Sequence, residues 1–71
     1  MTLHLSLKKN DKLYFSENDT EGKYIFGEVR ANQDCTLSFK GFEGINIDRE
    51  AFLTKDPAGL EALLRWRKCS D

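Results

Sequence analysis

Polar and apolar residues alternate along several short segments in the first two-thirds of the chain, and this pattern restricts the fold more than any other feature. In residues 1–8, three leucines share one phase while His4, Ser6 and Lys8 share the other, which is typical of a strand with one buried face. Parallel strands need crossover connections of about a dozen residues, so five such strands within about 48 residues predict an antiparallel sheet. The predicted strands are residues 1–8, 12–15, 24–30, 35–40 and 45–48.

The segments between and after the strands contain turn and helix signals. The polar stretch of residues 16–23 predicts a solvated hairpin loop longer than two residues. Residues 49–53 predict one helical turn, and Asp56 followed by Pro57 marks the start of a longer helix, because Asp caps helices and Pro fits the first helical position. This helix is predicted over residues 57–68, with an apolar face of Leu60, Leu63 and Leu64, Trp66 beside it, and Glu61, Arg65 and Lys68 opposite.

These elements predict a mainly β portion in residues 1–53 and a C-terminal helical extension in residues 54–71. Together the two parts are predicted to form a single domain. We expect the apolar face of the extension to pack over the sheet as additional core, with docking on another protein as the alternative. A chain of 71 residues has too small an interior to be comfortably stable alone, so dimerisation is expected to contribute.

Composition limits the classes of function. The net charge of −1 excludes a global cationic field that would bind nucleic acid indiscriminately, so an anionic partner must be bound locally. No leader and no apolar run long enough to cross a bilayer is recognisable, and two cysteines form no disulfide framework. We therefore expect reduced thiols, a cytoplasmic location and no membrane partner.

The inventory of reactive side chains is small. His4 is the only histidine, and as a metal ligand it would need Cys35 and Cys69, which lack both a fourth ligand and local ligand spacing. Gly41 and Gly44 bracket a turn and do not open a helix, so they do not form a phosphate-binding loop. We expect neither an enzyme nor a bound cofactor or metal.

Basic residues cluster at the ends of predicted strands. Lys8 and Lys9 close the first strand, Lys40 closes the fourth and Arg49 follows the fifth. If these ends meet at one edge, they make a small cationic patch for phosphates beside polar strand faces. Lysines at strand ends also discourage edge-to-edge aggregation, and spacing alone favours that second interpretation.

Three stretches add a family resemblance to this pattern. They are Asn32-Gln33, Leu37-Ser38-Phe39 and Ile45-Asn46-Ile47-Asp48-Arg49-Glu50. Together with the looser match of residues 3–13, they resemble the carbon storage regulator (CsrA/RsmA) family of bacterial RNA-binding translational regulators, over about residues 3–53.

The resemblance implies a function and a set of site residues. Family members are intertwined homodimers whose two RNA sites combine the first strand of one subunit with the end of the fifth strand of its mate. They bind GGA motifs in hairpin loops of messenger leaders, and small regulatory RNAs with GGA copies titrate them. The RNA-binding candidates are His4, Ser6, Lys8, Lys40, Ile47 through its backbone, Arg49 and Glu50.

The chain departs from the family pattern at several positions. Leu7 stands where the family usually has arginine, Phe42 replaces a proline, and Asn10 and Ser38 replace glycines. With the near-neutral charge and the added helix, these departures favour an alternative function. In that alternative the chain is a protein-interaction module that has lost or altered RNA binding and acts through a protein partner or antagonist.

Overall fold

The computed structural model describes residues 2–69 and contains five strands followed by two helices. The described strands pair in antiparallel fashion, which confirms the predicted mainly β fold with a C-terminal helix. The elements are β1 (Thr2–Leu7), β2 (Lys12–Asp19), β3 (Gly22–Arg30), β4 (Cys35–Lys40), β5 (Asn46–Arg49), α1 (Glu50–Leu53) and α2 (Pro57–Cys69).

The five strands form two sheets. β1 pairs with β4 in a two-stranded ribbon, and β2 lies between β3 and β5 in a three-stranded sheet. An inter-sheet core joins them, built on the buried side chains of Leu7, Leu13, Ala31 and Phe39. Leu5 and Leu7 of β1 therefore face the second sheet, and the polar residues of β1 face solvent.

A helix-side core lies on the opposite face of the three-stranded sheet. Its buried members are Tyr14, Ile25, Leu53, Ala62 and Leu63, with Trp66 packed against them. The prediction that the helical extension packs over the sheet is therefore confirmed. β2 contributes to both cores through adjacent residues, so the simple alternation of wet and dry positions does not hold for this central strand.

The hairpin between β2 and β3 differs from the predicted long loop. Both strands continue through the polar stretch, and Thr20 and Glu21 alone connect them. The Asp19 carboxylate accepts the Glu21 backbone N–H at 2.9 Å, which supports a tight turn. Backbone pairing does not depend on side-chain polarity, so exposed residues such as Glu17 are compatible with a strand that projects into solvent.

Helix α2 begins at Pro57 as predicted, and the Asp56 carbonyl accepts the N–H of Leu60 at 2.8 Å. The predicted apolar face is correct only at Leu63. Leu60 and Leu64 are exposed, and the small residues Gly59 and Ala62 are buried in their place. None of the helices within residues 2–69 is long and apolar enough to cross a membrane.

The burial of Gly59 reflects a close approach between α1 and α2. A Cβ atom at position 59 would lie 2.5 Å from the backbone oxygen of Leu53, which is well inside van der Waals contact. Only glycine therefore lets the two helices meet at this distance. The register of α2 follows from this contact and not from the largest apolar side chains.

Replacing Gly59 with alanine is expected to destabilise the protein by about 1–3 kcal/mol, because the added methyl group must displace backbone. This loss exceeds the gain of up to about 1 kcal/mol that alanine brings to an ordinary helical position. Chemical unfolding followed by circular dichroism measures the difference. Leu64→Ala, on the exposed side of the same helix, is the control, and a higher unfolding midpoint for Gly59→Ala than for the unmodified protein would contradict the prediction.

Candidate functional site

The outer surface of the β1–β4 ribbon is polar, exposed and without acidic residues. In the antiparallel register, side chains that pair directly across the ribbon point to the same side. His4 Nδ1 lies 2.7 Å from Ser38 Oγ, and Ser6 Oγ lies 3.4 Å from Thr36 Oγ1. We call this surface the ribbon face: Thr2, His4 and Ser6 of β1 with Thr36, Ser38 and Lys40 of β4.

Arg49 lies at one end of the ribbon face. Its Nη2 donates to the backbone oxygen of Ser6 at 2.6 Å, and its Nη1 lies 3.4 Å from Asp11 Oδ2. The side chain remains 44% exposed, so it is fixed at two points and still accessible. The resemblance assigns the first strand and the end of the fifth strand to different subunits, whereas here the two meet within one chain.

The turn after β1 holds Lys8 close to this corner. The Lys8 backbone N–H donates to Asp11 Oδ2 at 2.9 Å, so one carboxylate oxygen joins the turn to Arg49. Asn10 has a φ of 74°, in the left-handed region that glycine and asparagine tolerate best. This position is one of those where the resembled family has glycine, so the substitution is compatible with the same backbone conformation.

Lys40 does not join the other basic residues in one patch. It pairs with Thr2, at the opposite end of the ribbon from Lys8 and Arg49. Antiparallel pairing places the end of β4 beside the start of β1, about 20 Å along the strand from Lys8. The strand ends therefore do not all meet at one edge, and the cations lie at both ends of the ribbon face.

The remaining candidates have structural contacts. Ile47 is half-buried against the inter-sheet core and pairs with Phe15 of β2. The Glu50 carboxylate accepts a hydrogen bond from Arg67 of α2. Both residues therefore hold β5 and α1 in place next to Arg49.

A polar network missed by sequence reasoning anchors α2. Arg67 contacts the Tyr14 hydroxyl as well as Glu50, and Trp66 Nε1 donates to Glu28 Oε1 at 2.9 Å. Burial, reinforced by the negative charges of Glu50 and Glu28, raises the pKa of Tyr14, while Arg67 opposes the shift. Tyr14 therefore stays neutral at physiological pH. The partners are many residues apart, so no local motif reveals them.

Apart from Tyr24, the exposed large apolar side chains within residues 2–69 form two sets. Leu3, Phe26 and Phe42 are 38–43% exposed. The two phenylalanines connect to the interior through Phe15, whose ring centroid lies 6.4 Å from that of Phe26 and 5.9 Å from that of Phe42. We call these three exposed residues the apolar mouth. The second set, on the helices, consists of Phe52, Leu60 and Leu64.

The structure separates the three residues considered as metal ligands. His4 is on the ribbon face, Cys35 is half-buried beside the inter-sheet core, and Cys69 is exposed at the end of α2. No group of three His, Cys, Asp or Glu residues within residues 2–69 is arranged to hold a metal ion.

No protein-family model, curated protein or solved structure matches this chain. The resemblance to the carbon storage regulator family therefore stays a prediction.

Proposed function

We propose that the chain is an RNA-binding post-transcriptional regulator that binds unpaired bases on the ribbon face. The observation that carries the proposal is that this exposed polar face, free of acidic residues, ends beside the doubly anchored Arg49. Hydroxyl, imidazole and backbone groups can pair with the edges of unpaired bases, and cations at both ends can contact phosphates. The binding is local, which is consistent with a net charge of −1.

The RNA is proposed to carry GGA in a single-stranded or hairpin-loop context. This specificity comes from the family resemblance, which also suggests messenger leaders and small regulatory RNAs as partners in the cytoplasm. Binding near a ribosome-binding site would block translation without any chemical step. A guanidinium with a fixed set of donors suits both phosphate and guanine, which supports Arg49 as the principal contact.

The functional unit is proposed to be a homodimer. The accessible surface of 5252 Å² exceeds the roughly 4,500 Å² of a compact monomer of this mass. The excess is close to the roughly 800 Å² that each partner buries in an interface of standard size. The apolar mouth is the proposed surface for contacts between the two chains. Exchange of strands is also possible in such a dimer: β1 would then pair with β4 of the other chain, and β5 with β2 of the other chain.

A titration with RNA hairpins tests the proposal. A hairpin with GGA in its loop is expected to bind more tightly than one with the same stem and a scrambled loop. With two or three phosphate contacts, affinity for the GGA hairpin should fall roughly five- to twentyfold between 50 and 200 mM salt. A sizing measurement on the same samples reports the dimer. Equal, weak binding of both hairpins would contradict the proposal.

Binding to a protein partner is the second candidate function, favoured by Phe52, Leu60 and Leu64 on the solvent side of the helices. These side chains contribute little to either core, so a partner that covers them would explain their character. For this candidate, charged substitutions at Leu60 and Leu64 should abolish the regulatory effect of the protein in cells, whereas Arg49→Ala should preserve that effect. RNA binding on the ribbon face predicts the reverse.

A further inference from the structure

A polar recess lies where the turn after β1 meets the end of β5. Its volume is about 240 Å³, several times the roughly 30 Å³ that one water molecule occupies in the liquid. Two charged side chains of opposite sign, Asp11 and Arg49, stand side by side in its wall. The lining residues are Asn10, Asp11, Lys12, Arg49, Glu50 and Ala51.

Asp11 and Arg49 present an acceptor next to a donor. The shortest distance between them, from Oδ2 to Nη1, is 3.4 Å, and both side chains are about two-fifths exposed. A guanidinium has five N–H donors, and the contacts with Ser6 and Asp11 use only part of them. A carboxylate likewise accepts more hydrogen bonds than the two made by Oδ2, so both groups can bind a ligand while they hold each other.

We propose that this recess binds the Watson–Crick edge of guanine, an inference that depends on the RNA-binding function proposed above. The Asp11 carboxylate accepts from the N1–H and the exocyclic N2 amine, and the Arg49 guanidinium donates to O6. Adenine would place its N1, a hydrogen-bond acceptor, against the carboxylate, which is also an acceptor. Uracil lacks the exocyclic amine that would donate to the second carboxylate oxygen. The pair therefore selects guanine by hydrogen-bond pattern, and not by charge alone.

The charges around the recess are compatible with an RNA ligand. Lys12 and Arg49 are cationic, and the Glu50 carboxylate is paired with Arg67 of α2. Asp11 is therefore the acidic side chain of the recess that lies against Arg49. Arg49 also contacts the backbone of Ser6, which belongs to the ribbon face. An RNA strand with one guanine in the recess can therefore place its neighbouring bases on that face.

Replacement of loop guanines by inosine tests the inference, because inosine differs from guanosine only in lacking the N2 amine. The unmodified protein is expected to prefer the guanine hairpin about tenfold or more, the effect of one hydrogen bond to a charged group. Asp11→Asn should reduce this preference to near unity. The readout is the ratio of the two affinities, because loss of a negative charge also strengthens binding to both RNAs.

Asp34→Asn is the matched control. The Asp34 carboxylate accepts the neighbouring Lys9 backbone N–H at 2.9 Å, just as Asp11 accepts that of Lys8. The control removes the same charge from a similar contact without touching Arg49, so its guanine preference should equal that of the unmodified protein. An equal preference in Asp11→Asn would overturn the guanine site and leave RNA binding intact. Failure of the unmodified protein to bind any RNA would overturn both proposals.

A second measurement needs no variant. Guanosine monophosphate is expected to shift the backbone NMR signals of Asp11, Lys12 and Ala51 in the unmodified protein, and inosine monophosphate should shift them less at equal concentration. Equal shifts from the two nucleotides, or shifts confined to other parts of the chain, would overturn the inference.

Discussion

Replacing Leu63 with alanine is expected to lower the free energy of unfolding by about 2–5 kcal/mol, the usual effect of truncating a fully buried leucine. The side chain is 0% exposed and packs in the helix-side core with Tyr14, Ile25 and Leu53. A chain of 71 residues has a total stability of only about 4–11 kcal/mol. The substitution should therefore remove a large fraction of the stability, and at the upper end of its range it should leave part of the protein unfolded at 25 °C.

Chemical denaturation with far- and near-ultraviolet circular dichroism measures this effect. Leu64→Ala is the matched control, because it removes the same side chain one residue further along, where it is 52% exposed. We expect the control to change stability by less than about 0.5 kcal/mol, as exposed substitutions usually do. Similar losses for the two variants would mean that α2 does not pack on the sheet through Leu63.

The Leu63 variant also tests how far the helical extension is an independent unit. If α2 shares its core with β2 and β3, one cooperative transition should shift to lower denaturant for sheet and helix together. Separate transitions for the strand and helix signals would instead make the extension an accessory element. The contacts of Arg67 with Glu50 and Tyr14 favour the single transition.

The sequence pattern predicted side-chain orientation best in strands that have one face exposed to solvent. In β1 and β4 the period of two identified both the ribbon face and the inward leucines Leu5, Leu7 and Leu37, because these strands have solvent on one side. The same rule failed for β2, where Leu13 and Tyr14 are adjacent and both buried. A central strand between two cores needs apolar residues in both phases, and no local pattern distinguishes it in advance.

The helix shows a different limit of pattern reasoning. Leucines at spacings of three and four predicted the buried face, but the close approach of α2 to Leu53 selects Gly59 and Ala62 instead. A stripe of large residues indicates amphipathicity and says nothing about how near the neighbouring backbone lies. That distance depends on α1, whose placement follows from the whole sheet.

The site was only partly predictable for a similar reason. Arg49 was identified as a candidate from the resemblance, but its contact with Ser6 spans 43 positions and that with Asp11 spans 38. Asp11 lies between the first two predicted strands, and the sequence pattern assigned it no part in the site. Its role beside Arg49 arises from the pairing of β5 with β2, which no spacing rule along the chain reveals.

Arg49→Ala is expected to weaken binding of the GGA hairpin by about 2–4 kcal/mol, or roughly thirty- to a thousandfold, as truncation of a buried charged contact does in other interfaces. Stability should change by no more than about 1 kcal/mol, because the ion pair with Asp11 is exposed to solvent. The loss of affinity would then belong to the interface and not to unfolding. The slope of log affinity against log salt should change by less than the roughly 0.7 that loss of one phosphate contact on a single strand would give, because the inferred partner of Arg49 is guanine O6.

Two further variants separate geometry from charge. Arg49→Lys keeps the positive charge but not the planar set of donors that reaches Ser6 and Asp11 together, so we expect an intermediate loss of about tenfold with an unchanged salt slope. Arg65→Ala is the matched control, since Arg65 is similarly exposed and paired with Glu61 on α2. Filter binding or fluorescence anisotropy at two salt concentrations measures all three. If Arg65→Ala weakened binding as much as Arg49→Ala, RNA would be bound by general positive charge. The ribbon face would then not be the RNA-binding site.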